Sequence, residues 1–125
     1  MLSVYEIKLD SFEVTPHVEK ETLVLKWVGT GDMLTVEPLK ACLRHVSVAM
    51  KAGTFVGLKI DIQALYLLNS SCIKTLVQFI YLNIEGNLNF PIEFLVDSKL
   101  SWQPRALAAL KRLAPHVVTI TSSSP

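Results

Sequence analysis

Three adjacent polar residues, Asn69, Ser70 and Ser71, stand between an apolar run, Ala64 to Leu68, and a periodic apolar segment that begins at Ile73. Side-chain oxygens at such a junction can do two jobs. Asn and Ser are good helix caps, so Asn69 or Ser70 can satisfy the free N–H groups of a following helix. The second job is chemical. A phosphate on a serine there would bring about −1.5 to −2 charges and three acceptors to a place where free N–H groups and the helix macrodipole favour an anion. The helix tolerates that group, whereas an apolar partner pressed against the same corner does not. Ala64, Leu65, Tyr66, Leu67 and Leu68 cannot all face inward on one extended segment. Some of them therefore offer a docking patch beside the serines.

Other chemistry has little support. Gly29-Thr30-Gly31 lacks the third glycine of a dinucleotide fingerprint and the Gly-Lys-Ser/Thr of a P-loop, and reads as a turn. His17, His45 and His116 fall in a loop, a helix and a strand start, away from any Cys or carboxylate at ligand spacing. There is no Gly-x-Ser-x-Gly elbow. Asp32, Asp61 and Asp97 lie in or near the ends of successive sheet elements, where carboxylates can gather around a metal. Asp61, however, is followed by Ile62 inside its strand. Neither a metal, nor a cofactor, nor an enzymatic activity is expected. Cys42 and Cys72 read as buried, reduced helix residues.

The elements that must position Ser70 can be read in order. Tyr5, Ile7 and Leu9 alternate with charged residues, the phase slips near Ser11, and Phe12 and Val14 resume until Pro16 stops the strand. Thr15 to Lys20 serves as a turn into a second strand, Thr22 to Val28, at one edge of a sheet. Thr35 can cap a helix with Pro38 in its first turn and Leu39, Leu43, Val46 and Met50 inward, closed by Gly53. Phe55 to Ile62 is a strand, and a short segment, Gln63 to Leu68, leads to the second helix. There Ile73, Leu76, Val77, Ile80, Tyr81 and Ile84 make the apolar stripe and Gly86 ends it. Pro91 to Val96 is a strand. Ser101 caps a third helix to about Leu113, with Leu107, Leu110 and Leu113 inward, and Val117 to Thr121 is the last strand. The fold class is α/β with the order β-β-α-β-α-β-α-β and a mixed, mostly parallel sheet. Residues 1–121 form one domain and 122–125 a flexible tail.

The chain has 125 residues, half of them apolar and 18% charged, which places it among folded domains rather than disordered ones. A net charge of +1 argues against nucleic-acid binding. No uncharged stretch is long enough to insert in a membrane, and no secretory pattern opens the chain, so a cytoplasmic protein is expected. The apolar surplus implies either a sheet covered on both faces or a sticky interface.

Leu58-Lys59-Ile60-Asp61, followed by Leu68-Asn69-Ser70-Ser71-Cys72-Ile73-Lys74-Thr75-Leu76, resembles the strand and phosphorylation loop of STAS domains, the family of anti-sigma factor antagonists. Gly29 to Asp32 followed by Leu39 is similar to the Gly-x-x-Asp turn before that family's first helix. The resemblance covers roughly residues 22 to 121. It implies a single STAS-like domain, not an enzyme, that binds a serine kinase/anti-sigma factor of the GHKL ATPase fold. Phosphorylation would break the complex and a PP2C-type phosphatase would reset it. The serine that aligns is Ser70, with Ser71 as second choice. The partner surface would comprise Asp32, Leu65, Tyr66, Leu67, Leu68, Asn69, Ser71 and Cys72, and a homodimer is a further partner to consider. The family usually has Asp in place of Asn69 and Gly in place of Cys72. An alternative within the same resemblance is an unphosphorylated accessory subunit of an ABC-type transporter.

Overall fold

In the computed structural model, which describes residues 2–122, the N-terminal extended run divides in two. The strands are β1 (Ile7–Lys8), β2 (Phe12–Glu19), β3 (Thr22–Gly31), β4 (Gly57–Leu68), β5 (Ile92–Val96) and β6 (Val118–Ser122). The helices are α1 (Val36–Lys51), α2 (Ser70–Glu85) and α3 (Trp102–Leu113), and short 3-10 turns occupy Ser3–Tyr5 and Met33–Thr35. All six strands form one sheet in chain order. β1, β2 and β3 pair antiparallel, and β3 to β6 pair parallel. This is the expected mixed α/β sheet with one strand more.

Pro16 does not end its strand. It sits inside β2 opposite Leu25, and the turn is shorter than expected, at Lys20 and Glu21, with Lys20 at a left-handed φ of +58°. The reason is register. A two-residue turn makes Glu19–Thr22 a bonded pair, so strict alternation leaves Pro16–Leu25 unbonded. The nitrogen of Pro16 then points away from β3, on a side where β1 has already ended. At the other end, β6 takes in Ser122, which was expected in the tail; residues 123–125 of that tail lie outside the described residues.

Parallel strands that follow each other in space as in sequence, joined by right-handed crossovers, put all three helices on one face. Burial follows that rule. Leu23, Leu25 and Trp27 of β3, Leu58, Ile60 and Ile62 of β4, and Ile92, Phe94 and Val96 of β5 are buried on the helix side. Lys26, Asp61 and Leu95 are register partners on the other side, as are Lys59 and Glu93, and none of them is buried. Apart from Val24, buried opposite Lys59, that face is open, so the helices cover the sheet on one face, not two.

Helix phases shift where apolar residues wrap too widely to define one stripe. In α2 the buried apolar residues are Cys72, Leu76, Phe79 and Ile80, while Tyr81 is 49% exposed and donates to Glu85 at 3.1 Å. Leu107 and Leu110 of α3 are buried as expected, but Leu113, in its last turn, is exposed. Thr35 makes no side-chain cap for α1. Asp32 instead caps the preceding 3-10 turn, and the Asp32 N–H donates to Thr35 Oγ1 at 3.0 Å.

β4 is a single long strand rather than a strand and a linker. It pairs with β5 only over Leu58 to Asp61, yet continues along β3 to Leu68 with two register shifts, at Lys26/Val28 and Gly29/Thr30. Each shift leaves an extra residue on β4. Past Asp61 its outer edge has no strand beside it among the described residues. There the fully buried Gln103 of α3 takes over: Nε2 donates to the carbonyls of Ile62 (2.7 Å) and Leu65 (3.0 Å), and Oε1 accepts the Asp97 N–H at 3.0 Å. Replacing Gln103 by Leu keeps the volume and deletes all three bonds. We expect urea unfolding to show about 3 kcal/mol less stability, since buried groups left unpaired cost about 1–3 kcal/mol each. The amides of residues 62–68 should also lose hydrogen-exchange protection before those of 58–61; an unchanged midpoint would remove Gln103 from this account.

Candidate functional site

β3 and β4 end side by side, with Gly31 opposite Leu68. The Gly31 carbonyl accepts the Asn69 N–H at 2.9 Å, which ties the start of α2 to the end of β3. Gly31 has no room for a side chain. A Cβ there would lie 2.5 Å from Leu68 Cδ1 and 3.5 Å from Cys72 Sγ. Asp32 follows Gly31 and Asn69 follows Leu68, so the carboxyl ends of two neighbouring parallel strands bring both residues to one corner. That is where open α/β sheets place their sites.

Asn69 has extended backbone (φ −69°, ψ 166°) and caps α2. Its Oδ1 accepts the Cys72 N–H at 2.9 Å and its carbonyl accepts the Ile73 N–H at 3.0 Å. Asp32 Oδ1 accepts the Leu34 N–H at 2.9 Å, and Ser11 Oγ lies 3.5 Å from Oδ2. Ser70 is the first residue of α2 and is exposed. Ser71 is half-buried and its carbonyl accepts the Thr75 hydroxyl at 2.9 Å. The cap therefore uses Asn69 and leaves the Ser70 hydroxyl available.

The expected partner surface divides. Tyr66 (65% exposed) and Leu67 (51%) face solvent at the end of β4, just before Ser70 in the chain. Leu65, Leu68 and Cys72 are buried and cannot meet a partner. The bulges explain the first two, because an extra residue in β4 puts Leu65 and Leu68 three apart yet both inward, with Tyr66 and Leu67 both out. Cys72, where the resembled family has Gly, turns inward. Its thiol packs under the corner and reaches the Asp32 carbonyl at 3.5 Å. Two residues went unnoticed in the sequence: Met33 (67% exposed) and Leu34 (79%), in the turn after Asp32, add apolar surface to the same corner. Their signal was an apolar pair belonging to neither neighbouring stripe. Asp61, by contrast, lies mid-strand, where its Oδ1 accepts the Gln63 N–H. Among the described residues no three of His, Cys, Asp and Glu gather as metal ligands, and no helix is long and apolar enough to cross a membrane.

Burial raises both thiols, Cys42 to about 12 and Cys72 to about 11, the latter helped by the nearby Asp32 charge. The folded chain thus holds each thiol neutral. Its contribution to stability is complete below the ordinary value of 9.0 and is lost as pH rises through the folded values. At pH 8 the native protein should resist a thiol reagent at both cysteines and react fully in urea. Fast native labelling of Cys72 would contradict its placement.

No protein-family model matches the chain, and no curated protein matches it in sequence. Solved structures do. An anti-sigma factor antagonist from Mycobacterium paratuberculosis is 20% identical with a TM-score of 0.65, over 90% of this chain and 88% of that one. The anti-sigma factor antagonist SpoIIAA in its unphosphorylated form is 16% identical (TM-score 0.58; 91% and 90% covered). The Bacillus cell fate determinant SpoIIAA in its phosphorylated form is 18% identical (TM-score 0.60; 91% and 92% covered). The chain therefore has the SpoIIAA-like, STAS-like fold.

Proposed function

With the fold of anti-sigma factor antagonists as its premise, we propose that this chain is a signalling protein of that kind, which binds a serine kinase/anti-sigma factor and is switched off by phosphorylation at Ser70. The observation that carries the reading is the corner itself. An exposed serine opens α2 beside an already satisfied cap, and exposed Met33, Leu34, Tyr66 and Leu67 lie in the segments where the ends of β3 and β4 meet.

These two features explain how one modification can separate folding from binding. A phosphate on Ser70 meets the positive end of α2, so the fold accommodates it. The same dianion beside the apolar residues must be desolvated when a partner covers them, which opposes the complex. SpoIIAA, similar in fold, occurs in both unphosphorylated and phosphorylated forms, which supports the reading. The kinase is of the GHKL ATPase fold, a PP2C-type phosphatase restores the serine, and the chain performs no reaction of its own. Both partners act in the cytoplasm, where ATP is at hand. Asp32, across from Asn69, offers the partner a carboxylate; Asn69 keeps the cap without adding a second charge next to the phosphate.

The test is a pair of variants against GHKL-fold kinases of the same genome, with ATP. Ser70→Ala should keep kinase affinity and take up no phosphate by mass spectrometry. Ser70→Glu should bind roughly 30-fold more weakly, the cost of about 2 kcal/mol for burying an unpaired charge at an interface. Phosphate on Ser71 alone would move the switch by one residue. Unchanged affinity in Ser70→Glu would overturn it, and an ABC ATPase bound equally by both variants would favour the transporter-subunit reading.

A further inference from the structure

The helix layer leaves a groove between α1 and α2, of about 580 Å³. Leu43 and Phe79 form its buried floor, and Val48 (68% exposed) and Leu82 (64%) stand on its two crests. Two polar floor residues are already engaged: the Thr75 hydroxyl bonds the Ser71 carbonyl, and the Asn83 amide bonds the Phe79 carbonyl at 2.8 Å. The floor is thus apolar in effect. Every charged residue lining the groove, and the smaller recess that continues it towards Met33, is a cation: Lys40, Arg44 and Lys74. Glu37 stands outside the lining, 3.5 Å from Lys40.

From this pairing of apolar floor and cationic rim we infer that the α1–α2 groove docks an acidic amphipathic helix of a partner protein. Shape selects a helix. The exposed crests continue the apolar surface out of the groove on both sides, and a cylinder of about 10 Å covers both, whereas a single acyl chain would leave at least one in water. Charge selects the flanks. A second copy of this chain would set Lys40, Arg44 and Lys74 against their own equivalents, whereas glutamates or aspartates beside an i, i+3, i+4, i+7 apolar stripe would be drawn to them. The site is independent of the Ser70 reading, because none of its contacts requires a phosphate or a kinase.

The test uses a labelled peptide of about five helical turns, with leucines on that stripe and glutamates flanking it, and a twin with lysines in place of the glutamates. The glutamate peptide should bind the intact protein, more weakly at high salt, and shift the amides of residues 43–48 and 75–82. The lysine peptide should bind roughly tenfold or more weakly. The double variant Lys40→Glu/Arg44→Glu should reverse that preference, and Leu82→Glu, a change at an exposed position, should weaken both. Equal affinity for the two peptides, shifts outside the groove, displacement by dodecanoate, or a concentration-dependent dimer that perturbs the same amides would each overturn the inference.

Discussion

The bonds that Gln103 makes from α3 are the constraint on which the corner depends. β5 stops accompanying β4 at Asp61, and β4 must still travel to Leu68 before α2 can begin. A strand cannot leave its neighbour in a buried place unless something else satisfies its backbone. Gln103 does so with one side chain, taking the carbonyls of Ile62 and Leu65 and the N–H of Asp97. The two bulges against β3 then become possible, and they decide which of residues 64 to 68 face the core and which face water. Gly31 completes the arrangement, because its missing side chain is what lets Leu68 and Cys72 pack beneath the corner.

Much of this was legible in the sequence and some was not, for identifiable reasons. A cap at Asn69 or Ser70 and a helix end at Gly86 were legible because capping is local chemistry between near neighbours, and the structure chooses Asn69. Gly53, just past α1, has the left-handed φ of +75° that its position called for. The resemblance of residues 58–61 and 68–76 to STAS domains led to the fold that the solved neighbours share. What stayed hidden depends on partners distant in sequence. Pro16 is tolerated because of the phase of a hairpin, the length of β4 depends on Gln103 some forty residues away, and the burial of Leu65, Leu68 and Cys72 follows from bulges. The expectation of five apolar residues split between core and surface was sound; which residues went where required the register.

The same architecture would keep the proposed switch apart from the core. The core lies on the helix side of the sheet, whereas Ser70 and its apolar surroundings project from the ends of β3 and β4. A charge added at Ser70 meets helix N–H groups instead of the core. Asn69 supplies the cap in place of the aspartate usual in the resembled family, and Cys72 fills space where that family has glycine, so both departures are compatible with the packing of the corner.

Melting and binding of the chain carrying phosphoserine at position 70 test this separation most directly. A melting temperature equal to or slightly above that of the unmodified chain is expected, together with lost affinity for the proposed kinase partner. A phosphorylated chain that melts markedly lower, or binds its partner unchanged, would contradict it.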